Sequence, residues 1–459
     1  MSKFALLFLT FFFGGILAAL FVVPTAAFVV YQMVYFLNPD NRWWAASIPG
    51  LRYSFITVLL MMLVLGMKYK ELSARSPWSK QPVFKWLVAL VVLYLFMYQH
   101  AIVPGYHRSF MIDFIKIVII MALAYKLIPT QKALDAVLWT YVIGATYIGY
   151  VATVTGRNAD GRVEGIGMID TGGDSNYTSA ALVPALVLLM YYAWLGNKKM
   201  KLFSALCGAF IANGLVLINS RGAFLGAVVG VGFFLCYMLF SKYQRQGQRG
   251  MAILIILAGL GGGWYVTDET FWARMSTLTN VEDGSESGSH RIEFWLATFD
   301  VMRDHPLGVG IGGYQALSRN YLPEEYFEHA DSKVVHSTWF QSLGELGWPG
   351  PVVLLCLIGS ALRLSHKTKK YLLEQDSDHF NPEAYFKMLA LEGGLLAYLV
   401  AATFIDRLRA EVLYWMIMFI AAAANVYYLQ YIQAKDASVR RKTRGRLMHR
   451  SSIKEPLPE

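Results

Sequence analysis

The chain has 459 residues, 56% of them hydrophobic and 16% charged, and this balance excludes an ordinary water-soluble globular protein. Its formal net charge of +10 does not indicate nucleic-acid binding, because the basic residues cluster in short connections between apolar segments. The sequence lacks metal-site spacings, and Cys207, Cys236 and Cys356 lie inside apolar segments as small hydrophobic residues. We therefore expect no nucleic-acid partner, no metal and no cofactor.

Apolar segments long enough to cross the hydrocarbon layer, about 20 residues each, recur along the whole chain. They cover residues 4–37, 52–67, 83–98, 110–128, 133–154, 178–195, 202–218, 221–240, 251–267, 349–364, 388–405 and 410–432. The first is too long for one upright helix and contains Pro24, so it forms either one kinked span or a short hairpin. The sequence predicts an all-α polytopic membrane protein with about 12 transmembrane helices, or about 13 with the hairpin.

The positions of basic residues predict the orientation, because Lys and Arg accumulate in cytoplasmic connections. They cluster in 68–82, 196–201, 241–250, the start of 363–387 and the C-terminal tail, which could contact membrane lipids. The remaining connections then lie outside, which for a bacterial inner membrane is the periplasm. Four regions follow: an N-terminal transmembrane bundle at 1–267, a periplasmic loop at 268–348, C-terminal transmembrane helices at 349–432 and a basic cytoplasmic tail at 433–459.

The spacing of apolar residues predicts a helix within this outer loop, 268–348. Ser287 or Ser289 is a candidate cap for its N-terminus. Four residues share one helical face: Ile292, Trp295, Leu296 and Phe299. We expect this helix to lie along the membrane surface, with a second short helix near 323–328. The glycine-rich stretch 305–314 is expected to form a tight turn that packs against the bundle.

A histidine-containing turn ends the outer loop, in the segment 336–350. An ionisable, glycine-punctuated segment where a loop returns to the membrane is costly to keep, so it is a candidate functional site. Histidine titrates near neutral pH, and His336 therefore suits a general base. Considered alone, His336 could instead be a structural or interfacial histidine.

Several arginines fall on the predicted outer side, where positive charge is disfavoured. They are Arg157, Arg162, Arg221, Arg274 and Arg291. Guanidinium groups hold phosphate through bidentate, charge-assisted hydrogen bonds, which suits a diphosphate leaving group. Arg221 follows Ser220 at the start of an apolar helix, where the helix dipole would add to that attraction. Each arginine alone could instead extend towards lipid headgroups.

Put together, these residues resemble the O-antigen ligase family, whose domain also occurs in some O-antigen polymerases and bacterial protein O-oligosaccharyltransferases. The resemblance covers roughly 180–365. It rests on Ser220-Arg221-Gly222 at a helix start, Arg291 four residues before Trp295, Pro306-Leu307-Gly308-x-Gly310, and His336-Ser337 followed by Gln341, Glu345, Gly347 and Gly350. Family members often have asparagine where this chain has Ser337.

The resemblance implies transfer of a glycan from undecaprenyl diphosphate to an acceptor hydroxyl at the periplasmic face, without a metal. His336 would be the base, while Arg221 and Arg291 would hold the diphosphate, assisted by Arg157 or Arg162. Ser220, Ser337, Gln341 and Glu345 would support these groups. The acceptor is lipid A-core, another glycan or a protein hydroxyl, and we favour a surface-polysaccharide ligase or polymerase over a protein O-oligosaccharyltransferase.

Two other classes of protein stay open. A transporter of polysaccharide or small solutes would use Glu392, Asp113 and Asp406 as coupling groups, although no repeated halves stand out. We favour a hydrogen-bonded core role for Glu392. A non-catalytic assembly scaffold would tolerate loss of both His336 and Arg221.

Overall fold

The computed structural model describes residues 2–242, 246–276, 290–328, 330–375 and 381–435, and within these ranges the chain forms eighteen α-helices and no strand. The first nine are α1 Lys3–Phe21, α2 Ala26–Leu37, α3 Tyr53–Met67, α4 Tyr69–Arg75, α5 Pro82–Met97, α6 Pro104–Leu127, α7 Gln131–Thr155, α8 Ser175–Leu195 and α9 Lys198–Ile218. The others are α10 Arg221–Phe240, α11 Gln248–Val266, α12 Glu269–Ser276, α13 Arg291–Asp304, α14 Gly313–Tyr321, α15 Thr338–Leu346, α16 Pro349–Leu373, α17 Pro382–Ala402 and α18 Glu411–Ala424.

Within the described ranges, nine helices are long and apolar enough to cross a membrane: α1, α7, α8, α9, α10, α11, α16, α17 and α18 with its continuation to Lys435. A tenth results if α5 and the bent segment Tyr69–Lys80 before it, which meet at 71°, form one span. The predicted all-α polytopic membrane architecture is confirmed. The count is lower than twelve partly because α3 has only 15 residues and α5 only 16.

The first apolar segment is two helices rather than one kinked span. Proline disfavours helix in the residue before it, and Pro24 lies in the break between α1 and α2. Phe8 and Phe12 of α1 share a core with Val30 and Val34 of α2, so the two helices run antiparallel. The hairpin alternative therefore describes this segment.

Close contact between α10 and α17 determines where the start of α10 lies. A Cβ atom on Gly226 would come within 2.4 Å of the Ala397 carbonyl oxygen, and one on Gly230 within 2.7 Å of the Gly393 oxygen. Only glycine permits this approach. The contact brings the N-terminus of α10 beside the loop 403–410 that follows α17.

The outer loop is largely helical, and its described part contains α12, α13, α14 and α15. The second predicted short helix is confirmed as a 3₁₀ helix at Glu324–Phe327. The predicted caps Ser287 and Ser289 lie outside the described residues, as does nearly all of the predicted tail. Placement of this loop along a membrane surface stays a prediction.

The apolar face predicted for α13 is not the face that packs. Ile292, Leu296 and Phe299 are exposed, whereas Trp295 is half-buried and stacks on Phe340 with ring centroids 5.3 Å apart. The buried residues of α13 are Phe294, Ala297, Thr298, Val301 and Met302. Apolar residues surround most of this helix, so periodicity alone does not identify the packed side.

The glycine-rich turn packs against the bundle as predicted. Its backbone N–H groups at Val309 and Gly310 donate to the carbonyls of Gly344 and Glu345, at 3.0 and 2.9 Å. His107 of α6 accepts a hydrogen bond from the Ile311 N–H through Nδ1, at 2.9 Å. The turn thereby joins α6 to α15 and supports the segment that carries His336.

Replacing Gly310 by alanine is expected to destabilise the protein by about 2 kcal/mol or more. Its φ of +72° strains any L-residue, and a Cβ would lie 2.5 Å from that of Ala101. Thermal unfolding of detergent-purified protein, followed by tryptophan fluorescence, measures the loss. Gly105→Ala is the control, since Gly105 has open space around it. Equal melting temperatures for the two variants would contradict the prediction.

Candidate active site

A polar cavity lies where the start of α10 meets α8, α12, α13 and the loop 403–410. We refer to it as the arginine cavity, because Arg221, Arg274 and Arg291 enter it from three different helices. Its full lining is Asn176, Ala180, Ser220, Arg221, Gly222, Ala223, Arg274, Arg291, Ala401, Phe404 and Ile405. Three guanidinium groups around one cavity favour an anionic ligand.

A fourth arginine reaches this cavity through Asn176. The Oδ1 atom of Asn176 accepts hydrogen bonds from Nη2 of Arg162 and from the Ser220 hydroxyl, both at 3.0 Å. Arg162 also donates from Nε to the Ile218 carbonyl at 3.3 Å. Asn176 therefore ties Arg162 and the residue before α10 into one polar wall.

Burial and mutual repulsion act together on these arginines. Burial lowers the pKa of Arg274 to about 10, and the charges of Arg162, Arg221 and Arg291 add to that effect. Burial also lowers the pKa of Arg291, and the positive charge of Arg221 lowers it further. The groups stay protonated at neutral pH but repel one another, so a bound dianion would relieve the repulsion.

The start of α10 adds backbone donors to this positive region. Asn219 ends α9 in the left-handed conformation, with φ of 56°, and Arg221 opens α10 two residues later. The first N–H groups of a helix have no partner within it, and the helix dipole is positive there. A phosphate in the arginine cavity would meet both.

His336 immediately precedes the short turn into α15 and has a φ of 51°, a conformation that costs energy for a non-glycine residue. Its Nδ1 atom lies 3.9 Å from Oδ1 of Asp406. The same Asp406 oxygen accepts a hydrogen bond of 2.8 Å from the Tyr177 hydroxyl. Burial lowers the pKa of His336, whereas the charge of Asp406 acts to raise it. Burial raises the pKa of Asp406. A neutral imidazole beside a carboxylate suits a general base.

Arg291 connects the arginine cavity to the histidine. Its Nη1 atom donates to the Phe404 carbonyl at 3.3 Å, two residues before Asp406. The charge of Arg291 also contributes to the lowered pKa of His336. The diphosphate-binding and base candidates thus belong to one site.

Residues 206–355 match the family model described as O-antigen ligase. This part of the chain is similar to the O-antigen ligase domain. The match runs from α9 into α16, includes Arg221, Arg291 and His336, and confirms the family predicted from the sequence. No curated protein matches the chain closely enough to count as a relative. The family supports an O-antigen ligase or polymerase type of membrane glycosyltransferase.

Thr338, at the start of α15, binds the backbone of the loop 403–410. The Thr338 hydroxyl donates to the Ile405 carbonyl at 2.7 Å and accepts from the Arg407 N–H at 3.1 Å. These two partners flank Asp406 in sequence. Thr338 therefore fixes the backbone on both sides of the carboxylate that faces His336.

Thr338→Val is expected to lower kcat about tenfold or more, because both backbone partners of the hydroxyl would be left unsatisfied and Asp406 would shift. The donor KM should change little, since the arginine cavity is untouched. Steady-state transfer assays and the pH profile of kcat measure the effect. Thr338→Ser keeps the hydroxyl and should restore most of the activity. A valine variant with wild-type kcat and pH profile would refute this positioning role.

Of the other polar residues predicted for the site, Gln341 and Glu345 bind backbone groups. The Gln341 Oε1 atom accepts from the Leu408 N–H at 3.2 Å. Glu345 accepts from the Gly312 N–H at 2.8 Å, and burial raises its pKa to about 8. The Ser337 hydroxyl is buried without a hydrogen-bond partner among the described residues. Gln341 and Glu345 thus stabilise the loop 403–410 and the glycine-rich turn.

Arg157 lies apart from the arginine cavity. It forms an ion pair with Asp268 and donates from Nη2 to the Val216 carbonyl at 3.2 Å. The two arginines of the 155–177 connection therefore differ, since only Arg162 reaches Asn176. Within the described ranges, no three His, Cys, Asp or Glu side chains are grouped to hold a metal ion.

Sequence reasoning missed three members of this site. Asn176 and Tyr177 lie in no motif that points to this chemistry, and Asp406 was considered only as a transport group. The sequence feature that could have identified Asp406 is its position beside Arg407 in a short connection that is predicted to lie outside. An acid in such a connection, with a histidine elsewhere on the same side, is a candidate partner for a base.

Proposed function

We propose that this glycosyltransferase takes its glycan from undecaprenyl diphosphate and transfers it to an acceptor hydroxyl at the periplasmic face of a bacterial inner membrane, without a metal. The observation that carries the proposal is the link through Arg291 between the arginine cavity and the His336–Asp406 pair. One half suits a diphosphate, and the other suits activation of a hydroxyl.

The proposed reaction is a single displacement. Neutral His336 takes the proton of the acceptor hydroxyl, and the acceptor oxygen forms a bond to the anomeric carbon of the glycan. The bond from that carbon to the phosphate oxygen breaks, and its electron pair leaves with undecaprenyl diphosphate. Arg221, Arg274 and Arg291 stabilise the charge that develops on the leaving group.

Asp406 would stabilise the imidazolium that forms when His336 accepts the proton. Arg162 would act indirectly, by holding Asn176 at the wall of the cavity. Arg157 has no direct role in the proposal, because its contacts lie elsewhere. The single displacement inverts configuration at the anomeric carbon.

The three carboxylates of the transporter alternative each have a protein partner. Glu392 lies 2.5 Å from Nζ of Lys369, and Asp113 pairs with Lys116 at 2.9 Å. Asp406 accepts from Tyr177. These pairings support the core role favoured for Glu392 and weaken the case for a coupled transport path. Among transferases, we favour a surface-polysaccharide ligase or polymerase over a protein O-oligosaccharyltransferase.

The test is an in vitro transfer assay with purified protein and undecaprenyl-diphosphate-linked oligosaccharide. We expect free undecaprenyl diphosphate and glycosylated acceptor in equal amounts, with the same rate in the presence of EDTA. Lipid A-core, polysaccharide and peptide acceptors are compared in parallel reactions. Bound donor without release, across all acceptors, would overturn the transferase proposal. Complete loss of release in EDTA would overturn metal independence.

A further inference from the structure

A second cavity lies beside the arginine cavity. Neighbouring residues of α8 line the two, with Asn176 and Ala180 in the first and Tyr177 and Ala181 in the second. We call it the tyrosine cavity; its lining is Tyr35, Asp170, Thr171, Tyr177, Ala181, Tyr398, Arg407, Ala410 and Val412. The loop 403–410 also contributes to both cavities. The two therefore flank the segment that carries Asp406.

The charges of the tyrosine cavity are balanced within the protein. Arg407 and Asp170 form an ion pair, with Nη2 3.4 Å from Oδ2. Asp170 also accepts from the Tyr35 hydroxyl at 2.5 Å and from the Glu411 N–H at 3.0 Å. The arginine cavity holds three guanidinium groups, whose charges repel one another. A diphosphate is favoured in the arginine cavity, and an uncharged polar ligand is favoured in the tyrosine cavity.

One hydroxyl at the tyrosine cavity lacks a hydrogen-bond partner among the residues that the structure describes. Tyr398 is only 2% exposed, and within the described ranges its hydroxyl makes no hydrogen bond. Burying a hydroxyl without a partner costs free energy, which a ligand hydroxyl could recover. Tyr177 contributes an aromatic ring, over which the Arg407 guanidinium lies 4.6 Å from the centroid. Aromatic rings with hydrogen-bonding groups suit a ligand that has both apolar faces and hydroxyls.

We propose that the tyrosine cavity binds an uncharged sugar residue of the glycan, with the Tyr398 hydroxyl as a hydrogen-bond partner of that sugar. The sugar would lie next to the base, because Tyr177 lines this cavity and donates to the carboxylate facing His336. This inference rests on the proposed function and adds the recognition of the glycan to it. The sugar belongs either to the lipid-linked donor or to the acceptor.

Tyr398→Phe removes only the hydroxyl and tests the proposal in two arms. In the donor arm, Kd is measured for undecaprenyl diphosphate carrying a single hexose and for bare undecaprenyl diphosphate. In the acceptor arm, KM is measured for the acceptor glycan. We expect an increase of about fivefold to tenfold in the constant for one glycan-bearing ligand, with Kd for the bare lipid unchanged. The arm that responds identifies the source of the sugar.

Tyr125→Phe is the matched control, since Tyr125 is a fully buried tyrosine of α6 that lines neither cavity. Unchanged constants in both arms would overturn the sugar site. An equal loss of affinity for the bare lipid would overturn it too, because the cavity would then bind phosphate. The donor arm needs no turnover. The wild-type protein could bind the hexose-bearing lipid in preference to the bare lipid and yet transfer no glycan. If Tyr398→Phe then abolished that preference, the sugar site would stand and the proposed function would be refuted.

Discussion

His336→Ala is expected to reduce kcat for glycan transfer by about 10²- to 10⁴-fold while donor binding persists. In the proposed reaction, the His336 imidazole beside Asp406 takes the proton of the acceptor hydroxyl. The arginine cavity, which would hold the diphosphate, does not include His336 among its lining residues. Transfer is measured as released undecaprenyl diphosphate, and binding as Kd for the lipid-linked donor.

Two variants keep this prediction separate from a folding defect. His336 has a positive φ, which asparagine tolerates better than alanine, so His336→Asn removes the base with less strain. His100→Ala is the control, because His100 is an exposed histidine of another connection that is predicted to lie outside. Transfer at the wild-type rate by either His336 variant would remove the base from the mechanism. Loss of donor binding in both would indicate a structural histidine.

The pH profile gives the same group an independent signature. A histidine base works when neutral, and it is neutral above its pKa. Burial lowers the pKa of His336, so kcat should stay constant from neutral pH downwards and fall only below the usual value of about 6.5. Asp406 raises the pKa of His336, and Asp406→Asn should therefore move the acid limb to still lower pH. An acid limb above the usual histidine value would contradict this assignment.

The fold was largely predictable because hydrophobic length determines which segments are helical in a membrane. The predicted segment 221–240 coincides with α10, and the predicted 133–154 differs from α7 by a residue or two at each end. The break in the first segment followed from Pro24. The residues of α13 that pack against the protein could not be read from periodicity, since tertiary contacts with α15 select them.

The site was predictable only where a single residue carries an unusual local signal. Arg221 begins a helix with almost no loop before it, and His336 stands in a polar turn. By contrast, the choice between Arg157 and Arg162 depends on a local turn in which Asn158 Oδ1 accepts from the N–H groups of Asp160 and Arg162, both at 3.1 Å. No sequence pattern fixes the direction that such a turn gives to the next side chain.

The joint replacement Arg221→Gln with Arg291→Gln is expected to weaken binding of undecaprenyl diphosphate by about 100-fold or more. Each replacement removes one charge-assisted interaction with phosphate, which is worth roughly tenfold or more in affinity. Binding is measured as Kd for bare undecaprenyl diphosphate at two salt concentrations, because an electrostatic site weakens as salt rises. The double Lys variant keeps both charges but loses the planar fork, so an intermediate Kd is expected.

Arg157→Gln is the matched control for this prediction. Arg157 lies on the same predicted outer side and is also charged, but its partners are Asp268 and the Val216 carbonyl rather than the arginine cavity. Its replacement should leave Kd within about twofold, whereas Arg274→Gln, which changes a cavity residue, should weaken binding. Equal losses in Arg157→Gln and Arg221→Gln would mean that the positive charge of the outer side attracts the lipid as a whole. Comparison of the Kd values of these variants therefore distinguishes a specific diphosphate-binding site from general electrostatic attraction.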